Sequence, residues 1–315
     1  MSSLFPYLSL AAAMAIVGSS VVAGKIMIQA FPVCLASALR FALALCLLAP
    51  LLFWKEGGLP ALSRRSWGVL ALQGLCGSFL FTILTLGGLR LASAANAGII
   101  TSATPGCMGL LAWGFLKERP TARAASAVAL SAVGIAILNL RSGAQPAFGA
   151  NIQGNAMFLA AVLVESIFLL LRKAVPEKLS PLAAATLVSL FGLAYFTPAA
   201  LVQAAGFDFT AAPAASWLAV GYSGLFVTVA AYLLWFAGIM RVSAQAAGAM
   251  TGVMPVASVT LAWGLLGESP RTGQWVGCLL VMAAILISAS GNGRRIAVAR
   301  NKEKELTGQQ GSKSD

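Results

Sequence analysis

The chain is built from apolar runs of about twenty residues, and this limits it to few folds. A helix of that length rises about 30 Å, which matches the hydrocarbon thickness of a bilayer. Charged residues make up 10% of the 315 residues. Soluble domains carry roughly a quarter, so this chain has too little polar surface to cover itself in water. The sequence therefore predicts an all-α integral membrane protein.

Proline, glycine and charged residues divide the apolar sequence into ten predicted spans. They cover residues 7–26, 33–54, 67–88, 95–116, 121–140, 153–172, 181–204, 215–238, 244–266 and 272–290. We interpret the first span as a retained helix rather than a cleaved signal peptide, because no Lys or Arg precedes it. Residues 291–315 are polar and basic and are predicted to form a disordered cytoplasmic tail.

The net charge of +12 follows the predicted loops and forms no basic face of the kind that binds nucleic acid. With both termini inside, sixteen Lys and Arg lie on the inner side or in the tail. The four on the outer side are Lys25, Arg90, Arg141 and Arg271. Because cytoplasmic loops carry such an excess, we predict a multi-pass protein of the cytoplasmic (inner) membrane with both termini in the cytoplasm.

The sequence repeats itself after 150 residues. The segment LAWGFLKE from Leu111 recurs as LAWGLLGE from Leu261. Further pairs at this shift are Trp67 with Trp217, Gly74 with Gly224, Gly88 with Gly238, Pro105 with Pro255 and Pro120 with Pro270. Because each half holds five spans, the second half must enter the membrane in the opposite direction. The sequence thus predicts ten transmembrane helices as two inverted five-helix repeats, residues 1–145 and 150–290, with a shared site at mid-depth.

These features resemble the drug/metabolite transporter superfamily and, within it, the EamA-type transporters, over about residues 7–290. The matching features are Lys25 and Pro32 after the first helix, Arg40 in the second, and in each half a mid-helix proline thirteen residues before a glutamate. The family often has Trp-Gly in the first helix, whereas this chain has Val17-Gly18, and the equivalent place in the second half holds Glu165-Ser166. The resemblance implies a transporter but no particular substrate, because members export amino acids, vitamins, pigments, drugs and other metabolites.

Pro105 and Pro255, near the middles of the fourth and ninth spans, are predicted hinges. Each proline deprives the carbonyl four residues earlier, that of Thr101 or Thr251, of its helical hydrogen bond. Two interpretations remain open. The first is a packed kink in which the threonine hydroxyl bonds to its own helix. The second is a bend that lines a cavity and flexes.

Glu118 and Glu268 are predicted structural corner residues, because each precedes a proline at a short turn between two spans. A carboxylate at that position faces the positive end of the following helix. A role in coupling or gating is the alternative.

Glu165 is the strongest single candidate, because it lies well inside the sixth span, where ionisable groups are costly and mark functional sites. It is predicted to bind a substrate amine or to carry a proton. Pairing with Arg40 or a helix end, or a position near the interface, are the alternatives. For Arg40, substrate carboxylate capture and structural pairing are equally open. Further cavity candidates are Ser19, Ser20, Thr101, Thr251, Gln73, Phe79, Asn96, Tyr222, Phe226 and Gln245. Tyr232 and Trp235, like the other aromatic residues, fit either a cavity wall or the packed core.

The leading hypothesis is a secondary transporter that moves a small organic metabolite outward by alternating access, and the resemblance implies export of an amino acid or amino-acid-derived compound. The sequence has no Walker A loop, so a gradient would drive it. Import of a vitamin-like solute and multidrug efflux are the alternatives. An enzyme fits poorly, because the chain has no histidine and no paired acids in its spans. A channel would show a ring of like polar residues. No metal or cofactor is expected, and the expected partners are a small-molecule substrate and membrane lipid but no nucleic acid, with a homodimer left open.

Overall fold

The computed structural model describes residues 4–91, 100, 101, 103–117, 121–140, 152–175, 179–257, 260, 273 and 275–287. The first helices are α1 (Phe5–Ala30), α2 (Val33–Glu56), α3 (Arg64–Gly74), α4 (Phe81–Leu91), α5 (Thr104–Leu116) and α6 (Ala122–Leu140). The later ones are α7 (Ile152–Leu171), α8 (Pro181–Ala204), α9 (Ala214–Tyr222), α10 (Ala231–Ile239), α11 (Ala244–Met250) and α12 (Trp275–Ile287). A π-helical segment at Leu75–Leu80 joins α3 to α4, and another at Ser223–Ala230 joins α9 to α10.

Five of the described helical stretches are long and apolar enough to cross a bilayer. They are Val33–Glu56, Arg64–Thr85, Ile152–Ala174, Pro181–Ala204 and Ala214–Ile239. Shorter apolar helices lie at Phe5–Ser20, Thr104–Leu116, Ala125–Ile137 and Trp275–Ile287. The prediction of an all-helical, multi-pass membrane protein is thus confirmed for the part of the chain that the structure describes.

Large apolar side chains lie both in the core and on the outer surface. The core contains fully buried residues from α1, α2, α8 and α10, including Leu10, Leu48 and Ile239. Outward-facing side chains are equally apolar, since Trp54 is 80% exposed and Phe115 82% exposed. Such a surface is unfavourable in water and is suited to lipid, which agrees with the composition.

The helices begin and end where the sequence supplies the appropriate residues. Pro32 precedes α2, which ends at Gly57 in the left-handed conformation (φ 76°) that glycine adopts without strain. Ser180 caps α8, since its side chain accepts a hydrogen bond from the backbone N–H of Ala183, and Pro181 occupies the first helical position. These local signals explain why the predicted limits of both spans lie close to the observed ones.

The helices α2 and α8 pack along each other in opposite directions. At one end, the backbone N–H of Leu35 donates to Oε1 of Gln203 at 2.9 Å. At the other end, Ser180 Oγ donates to Glu56 Oε1 at 2.7 Å. Because the start of each helix meets the end of the other, the pair is antiparallel over its whole length.

Replacing Ser180 by alanine is expected to lower the free energy of unfolding by about 1–2 kcal/mol, because it removes the cap of α8 and the bond to Glu56. Titrating the purified protein with sodium dodecyl sulfate and following tryptophan fluorescence would measure this. Ser126→Ala is the control, since that hydroxyl is exposed and donates to the carbonyl of the nearby Arg123. Equal stability of the two variants would show that the cap contributes nothing.

The two π-helical segments occupy corresponding places under the 150-residue shift, which carries residues 75–80 onto residues 225–230. A glycine stands at the start of each. A Cβ added to Gly74 would lie 2.6 Å from the Cβ of Phe191 on α8. A Cβ added to Gly224 would lie 3.0 Å from the carbonyl oxygen of Arg40 on α2. Each of these helices thus packs closely against a helix from the other half of the sequence.

Candidate functional site

The fourth and ninth predicted spans are both interrupted just before their proline. Residue 103 forms a turn between residues 100–101 and α5, so Pro105 lies in the first turn of a new helix. In the ninth span, α11 ends at Met250, a turn follows, and helix resumes at residues 253–257 with Pro255 inside it. Proline suits a first helical turn because its missing N–H needs no partner there. The backbone stays helical in conformation but changes to tighter hydrogen bonds three residues apart, such as Ala103 N–H to Ile100 O and Thr251 N–H to Gly248 O. We call these two tight turns the breaks, and their flexing stays a prediction.

The threonines before the prolines differ in burial. Thr251 is buried, and its hydroxyl donates to the carbonyl of Gly248 in its own helix at 2.7 Å. This contact is the back-bonding arrangement that the sequence left open as one of two interpretations. Thr101 is half-buried.

Glu165 lies two-thirds of the way along α7 and is half-buried. Its Oε2 accepts a hydrogen bond from Oγ1 of Thr104 at 3.3 Å. Thr104 is the first residue of α5 and neighbours Pro105, so the carboxylate is joined directly to a broken helix. Thr104 was not among the predicted site residues, although its place before a mid-span proline is a signal that sequence reasoning can use. The alternative pairing of Glu165 with Arg40 is not observed.

The equivalent crossing in the other half is made by α1, where Val17-Gly18 takes the place of Glu165-Ser166. Gly18 on α1 lies against Met254, the residue before Pro255, and a Cβ added to it would overlap the Met254 carbonyl oxygen. It would also lie 3.2 Å from the Cβ of Ala257. Both breaks are therefore crossed by a helix, but only the crossing at Glu165 carries a charge.

Arg40 lies in α2, seven residues after the helix begins. The carbon of its guanidinium group is 4.7 Å from the ring centroid of Phe41, and its Nε has no hydrogen-bond partner. The Tyr232 phenol of α10 lies close enough to interact electrostatically with Arg40 and with the Ser78 hydroxyl. Tyr232 is partly buried among apolar side chains, which agrees with the predicted cavity wall as well as with the core.

An aromatic contact connects the surroundings of Glu165 and Arg40. Phe168 follows Glu165 by about one helical turn, and its ring centroid is 5.7 Å from that of Tyr232. The carbonyl of Phe168 accepts a hydrogen bond from Nε2 of the buried Gln73 at 2.9 Å, while Oε1 of Gln73 has no partner. The ring pair Phe168–Tyr232 thus joins the helix that carries Glu165 to the residue that neighbours Arg40, and Gln73 bonds to the backbone of the same helix.

Four other candidates lie near the contact of α1 with the second π-helical segment. The hydroxyl groups of Ser19 and Tyr222 are hydrogen-bonded to each other. The ring of Tyr222 stacks on that of Phe226 with 5.1 Å between centroids. Ser20 donates to the carbonyl of Val17 in its own helix at 2.6 Å.

The remaining candidates are core residues or fall outside the description. Phe79 packs against Phe196, with ring centroids 5.2 Å apart, in a small aromatic core. Gln245 is buried in α11. Asn96, Glu118 and Glu268, and the side chain of Lys25, lie outside the described residues.

A separate cavity of about 370 Å³ lies at the end of α1, bordered by Gln29, Phe207, Asp208 and Ser216. Hydrogen bonds from the side chain and backbone of Thr210 hold the pKa of the exposed Asp208 carboxyl below its usual range. The cavity lies at the helix ends rather than at mid-depth, and none of the predicted site residues borders it. Among the described residues, no group of three His, Cys, Asp or Glu is placed to hold a metal ion.

The sequence profile of the EamA-like transporter family matches residues 4–140 and, a second time, residues 152–290. The chain belongs to this family. It is an EamA-type member of the drug/metabolite transporter superfamily, and therefore a membrane transporter and not an enzyme.

Relatives of this EamA-type transporter carry the same general description. The chain is 38% identical to the uncharacterized transporter YetK of Bacillus subtilis, over 95% of this chain and 91% of that protein. It is 22% identical to the uncharacterized transporter YyaM of the same organism, over 81% and 84% of the two chains. One solved crystal structure, 20% identical, superposes with a TM-score of 0.74 over 92% of this chain and 98% of that chain, which supports the fold.

Proposed function

We propose that this EamA-type transporter exports a small organic metabolite, an amino acid or an amino-acid-derived compound, across the inner membrane by alternating access. The observation that carries the proposal is the half-buried carboxylate of Glu165 on α7, which accepts a hydrogen bond from Thr104 of α5. An ionisable group at such depth is retained where it serves a substrate or an ion. Thr104 stands at a helix break. Binding of a substrate or a proton to Glu165 would therefore act on the geometry of that break through the hydrogen bond.

The proposed architecture consists of two inverted five-helix repeats, residues 1–145 and 150–290. Three observations support it. The second helices of the two halves, α2 and α8, run antiparallel. The π-helical segments occur at equivalent places and pack against helices of the opposite half. The family profile matches the chain twice. A transporter of this construction binds its solute near mid-depth, between the repeats.

In the proposed cycle, one half moves against the other around the breaks that precede Pro105 and Pro255. A broken helix leaves backbone carbonyls that neighbouring groups or water must satisfy, and such irregular backbone is tolerated at membrane depth where it borders a cavity. Small residues support such a movement, because Gly248 approaches Pro105 closely enough that a Cβ would lie 3.4 Å from its carbonyl oxygen.

Glu165 is proposed either to bind the substrate amine or to carry the proton that drives export. Both roles need a carboxylate that is ionised in one step of the cycle and neutralised in another. A ligand that neutralises Glu165 in only one conformation shifts the population toward that conformation. This differential binding is what would couple the ion to the solute.

The proposed orientation places both termini and the basic tail 291–315 in the cytoplasm. We expect a green fluorescent protein fused after residue 60 to fluoresce and an alkaline phosphatase fused there to be inactive, because this loop lies among inner positive charges. Fusions after residue 210 should give the opposite result. The reverse pattern at both sites would overturn the orientation. Membrane lipid surrounds the protein in this proposal, and a homodimer stays open.

Counterflow in proteoliposomes tests the transport function itself. Metabolites that change outside cells on expression of the protein supply the solutes to be tested. A carrier takes up labelled solute faster when unlabelled solute fills the vesicle, whereas a pore shows no such acceleration. We expect at least one amino acid or derivative to show counterflow. Unaccelerated uptake of every solute that crosses would favour a channel, and an absence of any flux would overturn the proposal.

A further inference from the structure

None of the carboxylates that the structure describes pairs with the positive charge of Arg40. The structure describes three carboxylates, and each accepts hydrogen bonds from a hydroxyl group elsewhere: Glu56 from Ser180, Glu165 from Thr104 and Asp208 from Thr210. Arg40 Nε is buried and has no hydrogen-bond partner.

The position of this charge makes the missing counter-ion costly. Arg40 lies about 10 Å along α2 from Val33, within a helix long and apolar enough to cross the bilayer. A guanidinium group at such depth is expensive unless an anion or a hydrogen-bonding cavity compensates it. The Phe41 ring beneath it provides a weak cation–π contact, which compensates only in part.

The Tyr232 phenol lies beside the guanidinium group, and the Ser78 hydroxyl lies beside the phenol. Ser78 Oγ is buried and has no hydrogen-bond partner within ordinary distance. A Cβ added to Gly192 of α8 would lie 3.0 Å from Ser78 Oγ and 3.0 Å from the Phe41 ring. Glycine at this position therefore keeps a side chain of α8 out of the space beside Ser78.

We propose that Arg40, Ser78 and Tyr232 form the binding site for a carboxylate group of the transported solute. The guanidinium group presents a planar fork of N–H donors that fits a carboxylate, and the two hydroxyl groups supply further donors. A single carboxylate neutralises the single positive charge, whereas a phosphate dianion would leave a net negative charge within the membrane.

This inference rests on the proposed transport function and specifies the chemistry of its solute. Glu165 precedes Phe168 by about one turn on α7, Arg40 interacts with Tyr232, and the rings of Phe168 and Tyr232 are in contact. The carboxylate therefore offers a place for a cationic group, and the guanidinium group offers one for an anionic group. Such a pair of poles selects a zwitterion, the ordinary form of an amino acid, over a simple amine or a simple acid.

Ligand-induced stabilisation of the full-length protein in detergent tests the proposal. The probes are the twenty common L-amino acids and the carboxamide of each, which keeps the amine and the side chain but removes the negative charge. Melting is followed by tryptophan fluorescence over a range of probe concentrations, which gives apparent Kd values. We expect at least one amino acid to bind at least about tenfold more tightly than its carboxamide, because a hydrogen bond to a charged group is lost.

Substitutions at the site should remove this discrimination. In Arg40→Gln, the Kd values of the amino acid and of its carboxamide are expected to lie within about twofold of each other. The change should come from weaker binding of the amino acid, while the carboxamide binds as before. Arg40→Lys should retain part of the preference, because it keeps the charge without the planar fork. Ser78→Ala and Tyr232→Phe should each weaken acid binding by about 2- to 10-fold. Arg241→Gln is the matched control. That arginine is exposed, and its guanidinium group lies over the ring of Phe5 at the start of α1, away from Arg40.

Three results would overturn the proposal: no amino acid in the panel binds, the carboxamides bind as tightly as the acids, or Arg40→Gln keeps the wild-type preference. If Arg40→Gln does not yield folded protein, Ser78→Ala and Tyr232→Phe decide the question by the same ratio. Counterflow separates this inference from the transport function. Equal counterflow of acid and amide would leave transport intact and refute the carboxylate site. Selective binding of the acid without any counterflow would support the carboxylate site and refute the transport function.

Discussion

Glu165→Gln is expected to weaken transport of an amine-bearing solute by about 10- to 100-fold. Glutamine keeps the size of the side chain and can still accept the hydrogen bond from Thr104, but it carries no charge. The expected loss is that of one charge-assisted hydrogen bond. Initial rates of counterflow in proteoliposomes, measured across pH 5 to about 8, would give the size of the effect.

The same variant separates the two roles proposed for Glu165. If the carboxylate binds the solute amine, Glu165→Gln impairs both counterflow and net uphill transport. If it carries the coupling proton, exchange persists, but uphill transport and its pH dependence disappear. Glu56→Gln is the control, because that carboxylate lies at the exposed end of α2 and bonds to Ser180. Full wild-type transport by Glu165→Gln at every pH would refute both roles.

Gly18→Ala is expected to destabilise the protein by about 1–3 kcal/mol, because the new methyl group overlaps the Met254 carbonyl oxygen. A backbone atom cannot turn aside as a flexible side chain does, so α1 or the segment before Pro255 must shift. The gain in helix propensity, up to about 1 kcal/mol, offsets only part of this cost. The thermal midpoint of the purified protein measures the stability, and counterflow measures the accompanying loss of transport.

Gly24→Ala in the same helix is the matched control for Gly18→Ala. A Cβ added to Gly24 meets nothing within 4 Å, so this variant gains helix propensity without a clash and should be slightly more stable than wild type. If both variants show the same midpoint, α1 does not pack tightly against the ninth span at Gly18. If only Gly18→Ala loses transport while its midpoint is unchanged, the contact serves movement rather than stability.

The helix limits were predictable because apolar length and punctuation are local properties of the sequence. Predicted span 33–54 is observed as Val33–Glu56, and predicted span 181–204 as Pro181–Ala204. The π-helical segments were not predicted, because a run that is apolar all round has no periodicity to reveal a wider turn. The prolines indicated where the fourth span is irregular, but the tight turn at residue 103 depends on packing around it.

The candidate site was predictable residue by residue but not as an arrangement. A lone carboxylate in an apolar run identified Glu165, and a lone guanidinium identified Arg40. Their neighbours come from distant parts of the chain: Thr104 is 61 residues from Glu165, and Tyr232 belongs to the other half from Arg40. Sequence periodicity carries no information about such contacts, since they depend on how complete helices pack. The pairing of Glu165 with Arg40 was a reasonable expectation from charge alone, yet each has a different neighbour.

The wide turn at Leu75–Leu80 fixes the angular relation between the two ends of its helix. Before it, Gly74 presses against α8, and after it, Gly88 presses against Phe158 of α7. Because a π-turn takes up one extra residue for nearly the same rotation, Gly74 and Gly88 face their neighbours as they would in an ordinary α-helix that is one residue shorter. Removing one residue from this stretch would therefore restore ordinary winding and leave both glycines against their neighbours. Removing one residue between Phe81 and Gly88 would instead rotate Gly88 by about 100° away from α7. A single deletion within the wide turn should thus be tolerated far better than the same deletion within α4.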